Sequence, residues 1–175
     1  MGLHADISIA PLASNPEVIA QLARWHWAEG QKLRREIDVR GRLIKLLAHL
    51  GDTPVPQTFI ALERGKLVGA ASLISHTQRL DPADPLYWLA NVYVGEAFRR
   101  RGIATQLIQR VQDYARDLGL AELYLFTTDQ REFYLRRHWR WLRSGRMRGR
   151  VIDILTFDLR DVHALDRFGY SPRSN

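Results

Sequence analysis

Cysteine is absent from the chain, and its absence excludes disulfide bonds, thiolate metal ligands and a covalent cysteine intermediate. No pair of histidines and acids has the spacing of metal ligands on a helix, so we predict no metal site. Apolar runs of the roughly 20 residues that a membrane helix needs are also missing. Residues 1–6 lack the basic and apolar segments of a secretory signal peptide. We therefore expect a cytoplasmic protein with no membrane contact.

Lysine is scarce, because only Lys32, Lys45 and Lys66 occur among 26 basic residues. The net charge of +7 and a pI near 10.2 are compatible with a phosphate-rich ligand, a nucleic acid or an acidic surface. Codon bias in a GC-rich genome explains the excess of arginine most simply. The charge total therefore does not choose among these partners.

A length of 175 residues fits one domain and is enough to bury a core. Hydrophobic residues make up 46% and charged residues 26%, as in ordinary soluble proteins. We predict a single domain over residues 1–160. Residues 161–175 lack hydrophobic periodicity, and we expect a poorly ordered tail there.

The most informative stretch combines a strand, a basic turn and a helix. Residues 86–94 (LYWLANVYV) are almost all apolar and rich in aromatic and β-branched side chains, which predicts a strand buried on both faces. Apolar side chains then recur at three- and four-residue steps over residues 103–118, which predicts a helix with one face on a core. Gly119 follows, where helices commonly end in a left-handed residue.

The turn between this strand and this helix has the features of an anion-binding site. Arg99, Arg100 and Arg101 supply positive charge, and Gly102 lets the backbone approach a ligand closely. The first amides of a helix have no intrahelical partner and lie at the positive end of its dipole, so they can donate to phosphate oxygens. A solvated basic turn is the alternative, but a buried strand before it and an amphipathic helix after it are the context that phosphate binding requires.

Patterning predicts the remaining elements along the chain. Asn15 and Pro16 mark a helix start, with Asn15 as the cap, and Gly30 is expected to interrupt that helix after about Trp27. We read residues 76–85 as a polar surface connection beside the site. The other predicted elements are strands over 7–12, 57–62, 67–75, 122–126, 139–147 and 151–159, and helices over 33–50 and 131–137.

Two motifs together carry a family resemblance. The pattern Arg99-x-x-Gly102-x-Ala104 after an apolar strand resembles the acetyl-CoA pyrophosphate loop of the GCN5-related N-acetyltransferases (GNAT superfamily). The segment 123–128 (LYLFTT), followed by Phe133-Tyr134, is similar to that family's next strand and to the helix that carries its usual tyrosine. The resemblance covers residues 86–142 best, which is the cofactor half rather than the substrate half.

The resemblance implies an α/β (α+β) protein with the GNAT fold, a mixed central sheet of about six to seven strands flanked by about four helices. A helix connects the strands at 86–94 and 122–126, so these two should be parallel. In the resembled fold they splay apart in a V, and the pantetheine arm of the cofactor enters between them.

The resemblance also implies acetyl-CoA (coenzyme A) as the cofactor. A backbone N–H near Val92 is the expected donor to the thioester oxygen. The residues expected to bind the cofactor are Asn91, Val92, Tyr93, Val94, Arg99, Arg100, Arg101, Gly102, Ile103, Ala104, Thr105, Thr127, Phe133 and Tyr134.

Tyr134 holds the position of the family's tyrosine and is the candidate general acid for the leaving thiolate. A phenol with a reference pKa of about 10 is protonated at neutral pH and can donate. Simple packing of the ring against the cofactor is the alternative. One departure from the family pattern is His138, which stands where glycine is common.

The acceptor amine must lose a proton, and the sequence offers several bases. The family often places a glutamate on the central strand, yet residues 86–94 carry no carboxylate. Glu29 and His26 are the catalytic candidates, with His76 and Asp84 as alternatives, acting directly or through water. Trp27, Glu29, Trp88 and Asn91 are expected to line the acceptor site.

Two opposing features of the sequence leave the identity of the acceptor open. Trp25 and Trp27 near Glu29 suggest a cationic amine with an apolar body, whereas a basic protein suits an acidic acceptor. The leading hypothesis is N-acetylation of a primary amine of a small molecule or peptide by direct transfer in a ternary complex. The alternatives are a non-catalytic acyl-CoA sensor and, less favoured, a nucleic-acid or ribosome-binding protein using the arginines of 131–150. A homodimer is also compatible with the sequence.

Overall fold

A computed structural model describes residues 7–32, 37–76 and 86–160. Within these ranges the chain forms four α-helices: α1 (Ile19–Lys32), α2 (Val39–Leu47), α3 (Ile103–Asp117) and α4 (Arg131–Leu135). Seven strands lie in the same ranges: β1 (Ile7–Pro11), β2 (Gln57–Glu63), β3 (Lys66–Ser75), β4 (Tyr87–Val94), β5 (Glu122–Thr127), β6 (Arg140–Met147) and β7 (Arg150–Asp158).

The strands form one mixed sheet in the order β1-β2-β3-β4-β5-β7-β6. Neighbouring strands are antiparallel except for β4 and β5, which are parallel because α3 connects them. The predicted α/β (α+β) fold class, with six to seven strands and about four helices, is therefore confirmed.

The predicted splay between β4 and β5 is also confirmed. Trp88 and Tyr124 form the one register pair between these two strands. By contrast, β5 and β7 are paired along six consecutive positions, from Glu122↔Asp158 to Thr127↔Asp153. The parallel strands thus meet at one point and separate beyond it, which opens a V in the middle of the sheet.

A β-bulge in β4 lies beside this opening. Ala70 pairs with Tyr93 and Ser72 pairs with Ala90, so Ala71 opposes two residues of β4. Asn91 lies in this bulge and has a φ of 54°. Asparagine is among the few residues with a side chain that adopt this left-handed conformation readily.

Two hydrophobic cores cover the two faces of the sheet. Alternate residues of β2 and β3 divide between them, with Phe59 and Ala71 in one core and Ile60 and Ala70 in the other. The first core is closed by α3, whose buried side chains include Ile103, Leu107 and Val111. The second is closed by α1 and α2 through Leu22 and Leu46. The sheet therefore lies between two helical layers.

The expectation that the strand at 86–94 is buried on both faces was wrong. Leu89 and Val94 are buried, whereas the other residues of β4 are only partly buried. The physical reason is the splay, because one flank of β4 has no paired strand beyond Trp88 and borders an open cleft instead.

Several helix boundaries also differ from the prediction. The first helix continues through a buried Gly30 to Lys32 instead of ending near Trp27, and the Asn15 side chain makes no capping bond. The second helix begins at Val39 rather than near 33, since the Asp38 carboxylate accepts from the Gly41 amide at 2.7 Å and caps it. α4 ends at Leu135, two residues before the predicted end.

No helix in the described ranges is long and apolar enough to span a membrane. The predicted tail over 161–175 and most of the predicted connection over 76–85, including Asp84, lie outside the described residues.

Candidate active site

The splay opens into a cleft of about 1080 Å³. Tyr134 of the α3-side core and Leu46 of the α1–α2 core both line it. The cleft therefore passes through the sheet and joins its two faces. One part of its wall is formed by β4, β5 and α4, and the other by α1, α2 and the turn between β6 and β7.

The turn that enters α3 has an anion-binding shape. Arg100 and Gly102 both have left-handed backbone conformations, with φ of 60° and 77°. Hydrogen bonding in α3 begins where the Gln106 amide donates to the Gly102 carbonyl at 3.1 Å, so the amides of residues 103–105 have no intrahelical partner. No acidic side chain lies in the first turn, no side chain caps it, and the space around Gly102 is open. This turn fits a diphosphate.

The three predicted arginines have different surroundings. Arg99 donates from Nε to the Val94 carbonyl at 3.1 Å and so ties the turn to the end of β4. Arg101 forms an ion pair with Glu63 at 2.5 Å, which compensates its charge. Arg100 is exposed and has no hydrogen-bond or ion-pair partner within the described part of the chain. Arg100 is thus the guanidinium of this turn that remains available to a phosphate.

A fourth arginine, which the sequence did not single out, lies at the same helix end. Arg137 donates from Nε to Thr105 Oγ1 at 3.0 Å and stacks over the Phe133 ring at 3.5 Å. Desolvation lowers the pKa of its guanidinium from the ordinary value. A cation held at the positive end of a helix is unfavourable by itself, so Arg137 and the α3 amides together favour a bound anion.

Tyr134 lies in the wall of the cleft and is only 8% exposed. Edge contacts with Phe133 and Trp139 fix its ring. Burial raises the pKa of its phenol to about 12, although the Arg137 charge opposes this shift. The hydroxyl is therefore a proton donor at all physiological pH values.

Some of the residues predicted to bind the cofactor line the cleft, and others lie around it. Asn91, Val92, Tyr93 and Thr127 line the cleft. Val94 and Phe133 pack with the adjacent core instead, and the 99–105 turn lies beyond the cleft lining, past the end of β4. The bulge at Asn91 interrupts the ladder to β3 beside the opening.

The two predicted catalytic bases, one of which was also expected to line the acceptor site, lie in the cleft wall on α1. His26 is 6% exposed, and Glu29 accepts from Lys32 Nζ at 2.6 Å. Trp27 and Trp88 are not in the lining. Trp27 is 38% exposed to solvent, and the Trp88 ring contacts His76 and Tyr124. The structure thus brings His26 and Glu29 to the same cleft as Asn91 and leaves the two tryptophans outside it.

Sequence reasoning missed a basic surface on the α2 side of the cleft. Arg42, Lys45 and His49 line it from α2 and from the 3₁₀ turn that follows. Arg150 reaches it from the start of β7 and donates to the Lys32 carbonyl at the end of α1. Residues 42, 45 and 49 are three and four positions apart, which places three polar side chains on one helix face. This spacing could be recognised in the sequence once the helix was assigned.

His49 belongs to a buried chain of hydrogen bonds. Its Nδ1 is 2.7 Å from Thr58 Oγ1, which is in turn 2.7 Å from Ser72 Oγ. Burial lowers the pKa of the imidazole to about 4, so His49 is neutral at pH 7.

The sequence of this chain also matches a known family. The model of the acetyltransferase (GNAT) family matches residues 19–139, a span that includes α1, the bulge in β4, the basic turn and Tyr134. The chain belongs to the GNAT acetyltransferase family. No curated protein matches it in sequence.

Solved structures share its fold at low sequence identity. yncA of Salmonella typhimurium, solved with its cofactor acetyl-CoA, is 17% identical with a TM-score of 0.68, over 89% of this chain and 95% of that one. An N-acetyltransferase of Staphylococcus aureus Mu50 is 16% identical with a TM-score of 0.65, over 89% and 99%. N-acetylglutamate synthase of Neisseria gonorrhoeae, complexed with coenzyme A and N-acetyl-glutamate, is 22% identical with a TM-score of 0.62, over 90% and 36%.

Proposed function

We propose that this GNAT protein transfers an acetyl group from acetyl-CoA to a primary amine of a small molecule or peptide, directly and within a ternary complex. The observation that carries the proposal is the cleft that passes through the sheet at the V, with an anion-binding helix end next to it. Such a cleft lets a donor and an acceptor approach from opposite faces. The absence of cysteine supports direct transfer over an acyl-cysteine route.

The donor-binding residues would be those of the basic turn and the open strand edge. The amides of residues 103–105, Arg100 and Arg137 would hold the diphosphate, while the β4 edge would hold the amide-containing arm. Bound acetyl-CoA would supply the activated acetyl group. The similar structures solved with acetyl-CoA or coenzyme A support this choice of donor.

The bulge in β4 is our candidate for stabilising negative charge during transfer. The bulge interrupts the ladder at Asn91 and Val92, both of which line the cleft, so backbone amides there would be available as donors fixed before substrates bind. Fixed donors of this kind favour the transition state because they need no reorganisation.

Tyr134 would donate a hydrogen bond to the departing sulfur. Its high pKa keeps the proton in place, and its buried ring has little freedom to turn away. His26 and Glu29 would accept the proton of the amine, directly or through water. Of the two, His26 is the more buried, and the carboxylate of Glu29 is paired with Lys32.

One feature favours a second candidate, an acyl-CoA sensor without catalysis. No carboxylate lies on β4, although the family often has one there. The two functions make opposite predictions for turnover while both require cofactor binding.

The test is a screen for CoA thiol release. Purified protein and acetyl-CoA are mixed with amino acids, polyamines, aminoglycosides and peptides, and free thiol is followed with a chromogenic disulfide. We expect amine-dependent release well above the rate of thioester hydrolysis. Tight acetyl-CoA binding by calorimetry with no release from any amine would reject catalysis and support the sensor.

A further inference from the structure

We propose that the protein acetylates its own Lys32, with bound acetyl-CoA as the donor and the cleft as the place of transfer. This proposal rests on the acetyl transfer described above and adds a second acceptor, which is part of the chain itself. The product would be an amide on the side chain of the last residue of α1.

The few lysines of this chain are unevenly placed. The sequence has three of them, Lys32, Lys45 and Lys66. Lys32 and Lys45 line the cleft, whereas Lys66 lies beside the β2–β3 turn and outside the lining. A primary amine is the group that the proposed reaction consumes. The chain therefore places two candidate acceptors of its own in the cleft where transfer would take place.

Of these two lysines, Lys32 has the partner that an acceptor amine needs. Its Nζ donates to Glu29 Oε1 at 2.6 Å, and Glu29 lines the same cleft. Glu29 is also one of the two bases that we propose to take the proton of the acceptor. The amine of Lys32 thus lies where the amine of an external acceptor would meet this base.

The surroundings of Lys32 place its amine near β4. The hydrogen bond to Glu29 raises the pKa of the Lys32 ammonium group above its ordinary value. The charge of Arg99 opposes this shift and Tyr93 adds to it, so both residues lie close to the amine. Tyr93 lines the cleft from β4, and Arg99 is bonded to the Val94 carbonyl at the end of that strand. The amine is therefore close to the strand that is proposed to hold the arm of the donor.

An ordinary surface ion pair is the simpler interpretation of the contact between Glu29 and Lys32. The two residues are three apart on a helix, and their side chains are 41% and 63% exposed. Exposed pairs of this kind stabilise a protein only weakly, so the amine can leave the carboxylate easily. The two interpretations differ in reactivity. A surface lysine that is held protonated reacts slowly with acetyl-CoA, whereas an amine presented to the bound thioester reacts fast.

Transfer to Lys32 needs one proton acceptor and one proton donor. Glu29 accepts a proton from the ammonium group, and the neutral Nζ of Lys32 forms a bond to the acetyl carbonyl carbon. The bond from that carbon to sulfur breaks, Tyr134 gives its proton to the sulfur, and a second proton from the nitrogen restores the phenol. The products are acetylated Lys32, the CoA thiol and one proton, which passes from Glu29 to solvent.

Because there are only three lysines, each can be followed separately in the same molecule. The full chain is incubated with acetyl-CoA, and acetylation of each lysine is measured by peptide mass spectrometry. We expect Lys32 to react at least about tenfold faster than Lys66, as for an amine held near the thioester, and faster than Lys45. The rate at Lys32 should saturate with acetyl-CoA and should not depend on protein concentration.

Three results of this measurement would overturn the proposal. Equal rates at Lys32 and Lys66 would indicate chemical acetylation in solution. A rate at Lys45 that equals or exceeds that at Lys32 would remove the assignment to Lys32. A rate at Lys32 that rises with protein concentration would indicate transfer between molecules.

Glu29→Gln tests the proton acceptor. Loss of the ion pair alone would make Lys32 more reactive, by up to about fivefold for an exposed pair, because more of the amine would be neutral. Loss of a positioned base slows a reaction by roughly 10²-fold or more. We therefore expect a net fall in the rate at Lys32 of about tenfold or more. Glu17→Gln, in the turn before α1, is the matched control and should leave the rate unchanged. An unchanged or faster rate in Glu29→Gln would contradict the assignment.

A second measurement does not depend on turnover. With lysine labelled with carbon-13 at Cε, the chain gives three side-chain NMR signals, and Lys32→Arg identifies the signal of residue 32 while keeping its charge. Saturation with CoA, which carries no acetyl group, should shift the Lys32 signal. An unmoved signal at saturating CoA would place the amine away from the thiol end and overturn the proposal.

The outcomes separate self-acetylation from the function on which it rests. Acetylation of added amines without modification of Lys32 would support the enzyme and reject self-acetylation. Modification of Lys32 without a product from any added amine would support self-acetylation and reject transfer to an external amine.

Discussion

Tyr134 is a residue whose chemical role can be tested with little structural disturbance. The ring packs edge-on against Phe133 and Trp139, at centroid distances of 5.1 and 5.9 Å. Phenylalanine preserves both contacts and removes only the hydroxyl. The substitution therefore separates proton donation from packing on the cofactor.

For Tyr134→Phe we predict a fall in kcat of roughly 10²- to 10⁴-fold, the usual contribution of a positioned proton donor, with acetyl-CoA affinity within about twofold of wild type. Tyr114→Phe is the control, because that hydroxyl donates to the Pro54 carbonyl outside the cleft, and kcat should not change. Steady-state kinetics and calorimetry give both quantities. A kcat for Tyr134→Phe within twofold of wild type would remove the assigned role.

His49 links stability to pH. Its folded pKa of about 4 lies below the unfolded value of about 6.5. Above pH 6.5 the residue is neutral in both states and its contribution to stability is complete. Between pH 6.5 and 4 the unfolded chain binds a proton that the folded chain does not, so the free energy of unfolding falls by about 1.4 kcal/mol per pH unit, or about 3 kcal/mol in all.

His49→Asn should weaken this dependence, since Asn keeps a polar group near Thr58 but cannot titrate. Urea unfolding at pH 7, 5.5 and 4.5 measures the slope. His76→Asn, which changes an exposed histidine at the end of β3, should retain the wild-type slope. If His49→Asn and wild type lose stability equally between pH 7 and 4.5, the buried imidazole is not responsible.

At the scale of elements, the start of α3 depends on a left-handed residue. Gly102 has a φ of 77°, and a Cβ there would meet no atom within 4 Å. We predict that Gly102→Ala lowers the free energy of unfolding by about 1–2 kcal/mol through backbone strain. It should also weaken acetyl-CoA binding by tenfold or more, because the methyl group occupies the space next to the unpaired amides.

Gly119 offers a matched control at the other end of the same helix. Its φ of 74° and its open surroundings are nearly identical to those of Gly102. Gly119→Ala should therefore lower the free energy of unfolding by the same amount. Its effect on acetyl-CoA affinity should be negligible. Equal losses of affinity in both variants, measured by calorimetry, would show that the Gly102 effect reflects general destabilisation.

The β4 bulge is the second element for which we make a specific prediction. If Asn91 acts through its left-handed backbone, Asn91→Gly should keep most of the kcat, because glycine adopts a φ of 54° freely. Asn91→Val should reduce kcat at least tenfold, since a β-branched residue resists this conformation and the bulge must rearrange. Loss of activity in Asn91→Gly with normal folding would assign the role to the side-chain amide instead.

Elements with a strong local pattern were predictable from the sequence. The predicted strand at 86–94 and helix at 103–118 agree closely with β4 and α3, because apolar spacing and Gly119 are local signals. The start of α2 was missed, since Asp38 was read as a helix interior position when it is the cap. The bulge at Asn91 could not be seen, because it arises from pairing with β3 and leaves no mark in the period of β4.

At the scale of the whole molecule, the site joins segments that are far apart in sequence. The basic turn was predictable because strand, turn and helix are contiguous. Arg42, Lys45 and Arg150 reach the cleft only after α1 and α2 cover one face of the sheet and the β6–β7 turn folds over the end of α1. Arg137, which follows α4, similarly meets Thr105 in the first turn of α3 only in the folded chain. Sequence reasoning thus located the basic turn, but it did not show that Arg42, Lys45, Arg150 and Arg137 would lie near the cleft or the start of α3.

The two-sided cleft supports our proposal of direct transfer between a donor and an acceptor that are bound together. The most direct measurement is the initial rate of N-acetyl product formation, followed by mass spectrometry, over a matrix of acetyl-CoA and amine concentrations. For direct transfer we expect a product one acetyl group heavier than the amine and double-reciprocal lines that intersect. Parallel lines, or no product from any amine while acetyl-CoA binds, would contradict it.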